Sequence, residues 1–123
     1  MKTILFSLLS LILISFTSAA EEKGQLRHLV MFKFKDDAKA EQITSIEKHF
    51  ASLPKKINTI IDFEWGTNVS NEKKNDGLTH CFFVSFKDQA GLDVYSPHPA
   101  HQAFVKELLP ILDKVVVIDY IAQ

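Results

Sequence analysis

Cysteine is almost absent: Cys81 stands alone in 123 residues. No internal disulfide can therefore hold the fold, and stability must come from apolar burial. An excess of one charge is missing too, since 14 Lys and Arg against 15 Asp and Glu leave a formal net charge of −1. With no basic patch carrying interleaved aromatics, there is no electrostatic ground for a nucleic-acid partner. The four glycines form no phosphate-cradling loop. Carboxylate pairs at catalytic spacing, Ser/His/Asp arrangements and recognised metal-ligand spacings are lacking as well, so no cofactor and no metal are expected. What the chain does hold is 46% apolar residues, ten of them Phe. Such a set builds a ring-rich core or a cavity lined by rings.

One long apolar run exists, Ile4 to Phe16 behind Lys2, closed by Thr17-Ser18-Ala19-Ala20. This is the pattern of a secretory signal peptide, residues 1–20, cleaved after Ala20 or Ala19. The run is short of the ~20 residues that span a bilayer. The remainder, 21–123, is one domain, expected in the periplasm or outside the cell with no membrane contact after cleavage. Asn68-Val69-Ser70 is an acceptor pattern for N-glycosylation if the host has that pathway. Cys81 sits in a strand-like run with no His/Asp arrangement nearby to activate it, and reads as a buried structural thiol.

Along that domain, residues 25–35 alternate as a strand with His28, Val30, Phe32 and Phe34 on one face and Leu29 and Met31 on the other. Asp36-Asp37 opens a helix whose stripe of Ile43, Ile46, Phe50 and Leu53 ends at Pro54. Its His49 falls on the solvated side. Residues 60–68 form a second strand, with Ile61, Phe63, Trp65 and Thr67 sharing a face, and a polar connection over 69–77 leads to a third strand over 78–86. There His80, Phe82, Val84 and Phe86 share a face. A short helix over 88–95 is followed by Ser96-Pro97-His98-Pro99-Ala100-His101, a longer helix to about Leu112 and a last strand over 114–121. The order strand–helix–strand–strand–helix–strand is the split βαβ pattern of ferredoxin-like folds.

The stretch around the two prolines carries the chemistry. Pro99 suits the first position of a helix, where its missing N–H costs nothing. That puts His98 at the N-cap and His101 in the first turn, near the positive end of the helix dipole, which disfavours imidazolium. A neutral His with the Tyr95 phenol just upstream makes an acid–base pair. The same residues also serve simply as a well-made helix start, and His28 and His80 can be satisfied structural histidines.

Two helices cover one face of a four-stranded sheet, yet three strands are apolar on both faces. Leu29, Met31, Phe83, Val116 and Ile118 lie behind Val30, Phe32, Phe82, Val115 and Val117, where a solvated face should read polar. Leaving them wet would forfeit roughly 1.5–3 kcal/mol each, comparable to the stability of a small domain. The same face of a second copy is the simplest cover, giving an isologous homodimer.

These features meet in a family resemblance. Arg27-His28-Leu29-Val30-Met31-Phe32-Lys33-Phe34, Phe63-Glu64-Trp65-Gly66, Gly77-Leu78-Thr79-His80, Tyr95-x-x-His98-Pro99-x-His101-x-x-Phe104 and Val117-Ile118-Asp119-Tyr120 follow one another in the order of the stress-responsive A/B barrel (Dabb) family. The chain resembles that family over the whole domain. The resemblance implies an α+β, ferredoxin-like βαββαβ subunit with a four-stranded antiparallel sheet, pairing face to face into a dimeric α/β barrel. From the family's plant polyketide cyclase branch it implies His101 as general base, Tyr95 as hydrogen-bond donor to a carbonyl and His28 in support. Phe50 departs from that branch, which carries a tyrosine phenol there. A pocket would be lined by Ile46, Phe50, His98, Phe104 and the sheet residues Phe32 and Phe82.

Two readings of function follow. One is an exported dimer that binds a small apolar or aromatic molecule, with cyclase- or lyase-like His/Tyr chemistry on it. The other is a non-catalytic stress or assembly protein. A void of a few hundred Å³ beside His101 and Tyr95 favours the first.

Overall fold

A computed structural model describes residues 23–123. The signal-peptide expectation for 1–20 falls outside them. Four strands form one antiparallel sheet in the order β2-β3-β1-β4, with β1 at Leu26–Phe34, β2 at Ile60–Thr67, β3 at His80–Phe86 and β4 at Leu112–Ile121. Helix α1 (Ala40–Ser52) crosses from β1 to β2, and α2 (Gln89–Tyr95) and α3 (Pro99–Leu108) lead from β3 to β4. This is the ferredoxin-like α+β fold.

Several boundaries differ from the sequence reading, each for a local reason. Helix α1 opens at Ala40 rather than at Asp36-Asp37. The aspartates instead enter a turn in which the Ala38 N–H meets the Lys35 carbonyl at 3.0 Å, and the Gln42 side chain accepts from the Lys39 N–H at 2.9 Å. Strand β3 begins at His80 because the connection before it uses left-handed backbone at Lys73, Asp76 and Gly77. A Cβ at Gly77 would also meet the Lys33 side chain at 3.0 Å. Helix α3 stops at Leu108, since Pro110 has no N–H to continue it. A 3-10 turn over Leu109–Ile111 takes its place and β4 starts at Leu112, not Lys114.

The core lies between the sheet and α1, α2 and α3. Val30, Phe32, Phe82, Val84 and Phe86 from the sheet meet Ile46, Phe50, Leu92, Phe104 and Leu108 from the helices, all buried. In β2 a bulge between Ile60 and Asp62 changes the register. It turns Ile60 inward, while Ile61 is 48% exposed instead of sharing the inner face with Phe63. Helix cover also fails to reach β4, so Val115 and Val117 are exposed even on the helix side of the sheet.

On the helix-free side Leu29, Met31, Phe83 and Val116 are half-buried and Ile118 and Tyr120 exposed. Arg27 lies among them, with its guanidinium over the Phe83 ring and donating to Ser85 Oγ at 2.7 Å. Cys81 faces this side and is half-buried, not in the core. Burial, then the Glu64 carboxylate, pushes its thiol pKa up, away from nucleophilic character. His49 is not on a solvated face either. It pairs with Glu107 of α3, which also accepts from Ser45 Oγ at 2.5 Å, and sets its ring edge-on to Phe104.

Candidate functional site

The turn between α2 and α3 explains the position of the two central groups. Tyr95 ends α2, and the Ser96 carbonyl beyond it has no helical partner, because the Ala100 N–H four residues on is given to the His98 side chain. Two side chains from the first turn of α3 meet that carbonyl: His101 Nδ1 at 2.8 Å and Gln102 Nε2 at 3.1 Å. His98 caps α3, its Nδ1 accepting from the Ala100 N–H at 3.0 Å.

The bond to Ser96 sets the tautomer of His101. A carbonyl only accepts, so Nδ1 carries the hydrogen and Nε2 of the neutral ring keeps a free lone pair. Burial lowers the pKa of His101, with His28 and His98 adding to the effect and the Ser96 bond opposing it. The helix dipole acts in the same direction as burial. Its ring centroid lies 4.3 Å from that of Tyr95. Tyr95 is 1% exposed, and burial pushes its phenol pKa well up, so it stays protonated as a donor. Within the described residues its hydroxyl makes no hydrogen bond. On β1, His28 packs edge-on to Tyr95 at 5.7 Å and donates from Nδ1 to Asp119 Oδ1 at 2.5 Å.

These three groups line one cleft of about 220 Å³ between the sheet and α3. Phe32, Phe50 and Phe104 form its buried floor, and Leu109, Val115 and Val117 its exposed mouth. Six sequence candidates thus come together: His28, Phe32, Phe50, Tyr95, His101 and Phe104. Ile46 and Phe82 lie outside the lining, fully buried, and Phe82 backs Phe50 with ring centroids 4.3 Å apart. His98 also falls outside it, with Nδ1 committed to the cap.

Sequence reasoning passed over Asp119 and the β4 wall. The signal for both was the β1–β4 register, which sets His28 opposite Asp119 and Phe32 opposite Val115. His80 is placed in a structural network, with Glu47 at 3.2 Å and Thr79 at 2.8 Å. A larger hollow of about 400 Å³ opens beside the 68–79 connection, on the side of Met31 and Cys81, and neither Tyr95 nor His101 lines it. Among the described residues no group of three or more His, Cys, Asp or Glu side chains could hold a metal ion.

The family model of the stress-responsive A/B barrel domain matches residues 26–122. This chain belongs to that family. It is 39% identical over 100 residues to a stress-response A/B barrel domain-containing protein of Arabidopsis thaliana, spanning 81% of this chain and 92% of the relative. Olivetolic acid cyclase of Cannabis sativa is 30% identical over 95 residues, covering 77% of this chain and 94% of the cyclase. Among solved structures, hydroxynitrile lyase from Passiflora edulis superposes with a TM-score of 0.77 at 27% identity, over 82% of this chain and 95% of the lyase. A dimeric ferredoxin-like protein of unknown function from Bacteroides fragilis gives a TM-score of 0.66 at 26% identity, over 80% and 97% of the two chains.

Proposed function

We propose that this A/B barrel protein is an exported homodimer that binds a small apolar or aromatic molecule in the sheet–helix cleft and performs acid–base chemistry on it. The observation that carries the reading is the His101–Ser96 bond, which leaves Nε2 as the free base of a ring that shares an apolar cleft with the Tyr95 hydroxyl. His101 Nε2 takes a proton from the carbon next to a carbonyl, and the C–H electron pair passes into an enolate. Tyr95 donates a hydrogen bond to the oxygen as negative charge gathers there, and His28, anchored on Asp119, supports the pair. The enolate carbon can then attack a second carbonyl, whose oxygen takes the proton back from His101, in line with a cyclase among the relatives. The same base on a hydroxyl proton, with a carbonyl forming as a carbon leaving group departs and takes up the proton, fits a lyase. No step needs a cofactor.

Dimerisation through the helix-free face is supported by the half-buried and exposed apolar residues it carries and by the dimeric relative of the same fold. Export rests on the amino-terminal pattern alone. Native mass spectrometry of protein taken from its own host tests the whole reading. The expected result is a dimer of chains beginning at residue 20 or 21 that carries a small organic ligand. A monomer that starts at Met1 and carries nothing would overturn it.

A further inference from the structure

The cleft ends abruptly on its inner side. Phe50 closes it, its ring parallel to that of Phe82 within 11° at 4.3 Å, and Phe104 packs against Phe50 at 4.6 Å. Past Phe82 the row continues to Trp65 at 5.6 Å, on the far edge strand, where the indole is 40% exposed. Rings therefore fill the layer between sheet and α1 from the cleft floor to the opposite edge. The 220 Å³ that remain are less than the roughly 300–1,000 Å³ of sites that enclose drug-sized ligands. At about 30 Å³ per water, they amount to roughly seven waters. The lining holds no Lys, Arg, Asp or Glu, and its polar groups are His28, Tyr95 and His101. An ion entering there would lose hydration with no formal counter-charge in the wall.

Resting on the ligand-binding reading above, we propose that the site selects a compact, neutral molecule with one hydroxyl or carbonyl for the His101–Tyr95 end, and that the Phe50–Phe82 stack limits its hydrocarbon length. Phe82 is a specificity determinant although it does not line the cleft, because it denies Phe50 room to move aside. Shortening it opens the layer towards Trp65.

Titration calorimetry with phenol, 4-ethylphenol, 4-propylphenol and 4-pentylphenol reads this limit. In the wild-type protein, affinity rises about fourfold per methylene up to 4-ethylphenol and then stays level within twofold. In Phe82→Val the rise resumes through 4-pentylphenol, with Phe50→Leu as a second variant should the first not fold. 4-Ethylbenzoate, of similar length but anionic, binds at least tenfold more weakly than 4-ethylphenol. Wild-type affinity that keeps climbing through 4-pentylphenol overturns the length limit and leaves ligand binding standing. A plateau that persists in folded Phe82→Val overturns the assignment to the stack, and equal binding of 4-ethylbenzoate overturns the selection for neutral ligands. No heat, and no shift of the His101 ring-proton resonances with any phenol at millimolar concentration, overturns the ligand-binding reading itself and this proposal with it.

Discussion

The two sides of the sheet use the same residue types and end in opposite states. On the helix side Phe32, Phe82, Val84 and Phe86 are sealed by α1, α2 and α3. On the other side Leu29, Met31 and Phe83 reach only half-burial, and Ile118 and Tyr120 stand in solvent. Alternation alone therefore says that a face is apolar, not what covers it. The helix side completes its burial within one chain, and so can leave a defined cleft where cover runs out, over β4. In the proposed dimer the other side completes its burial in a second copy, so its contribution to stability should depend on protein concentration.

The sharpest way to separate the two sides is to damage each. Phe32→Ala, in the sealed layer, should cost about 3–5 kcal/mol whatever the concentration, as read by denaturant titration at two concentrations tenfold apart. A cost, relative to wild type, that changes with concentration would reverse the assignment of the faces. Ile118→Lys puts a charge on the open side. It should leave the subunit folded and turn a sedimenting dimer into a monomer at micromolar concentration, with the concentration dependence of Tm gone. An unchanged dimer would move the interface elsewhere.

Smaller effects probe the cleft itself. Tyr95→Phe removes one donor from the polar end and should weaken 4-ethylphenol binding roughly threefold to tenfold, at nearly constant Tm. A drop in Tm with no loss of affinity would make Tyr95 a core residue only. The pH dependence follows from His101, whose pKa in the folded chain lies below the ordinary histidine value of 6.5. Across that window the folded chain binds fewer protons than the unfolded one. The contribution of His101 to stability is thus complete above pH 6.5 and declines as pH falls through it towards the lowered value. An NMR titration of the His101 ring protons should accordingly give a midpoint under 6.5, and one above it would contradict the buried, neutral base. Least of all, Ser45→Ala should cost under about 0.5 kcal/mol in thermal melts, because its bond to Glu107 is exposed.

Much of this was legible in the chain. The order of elements followed from periods of two and of three to four residues, and Pro99 with His98 marked the start of α3. Resemblance to the A/B barrel family pointed to His28, Tyr95 and His101, and the structure brings all three to one cleft. What escaped were features set by partners distant in sequence. The bulge that turns Ile61 out depends on pairing with β3. His49 looked solvated until α3 laid Glu107 beside it, 58 residues on. Asp119 had no local sign of a role, because its meeting with His28 is a matter of β1–β4 register across 91 residues.

Residue identity and spacing settled which side chains could be buried, where α3 starts and which groups could exchange protons, since those depend on neighbours a few positions away. The anchoring of His28 was decided only when β4 paired with β1, and the depth of the cleft only when α3 packed on the sheet. Each of these rests on a distance between atoms, and such distances come into being when separate segments pack together.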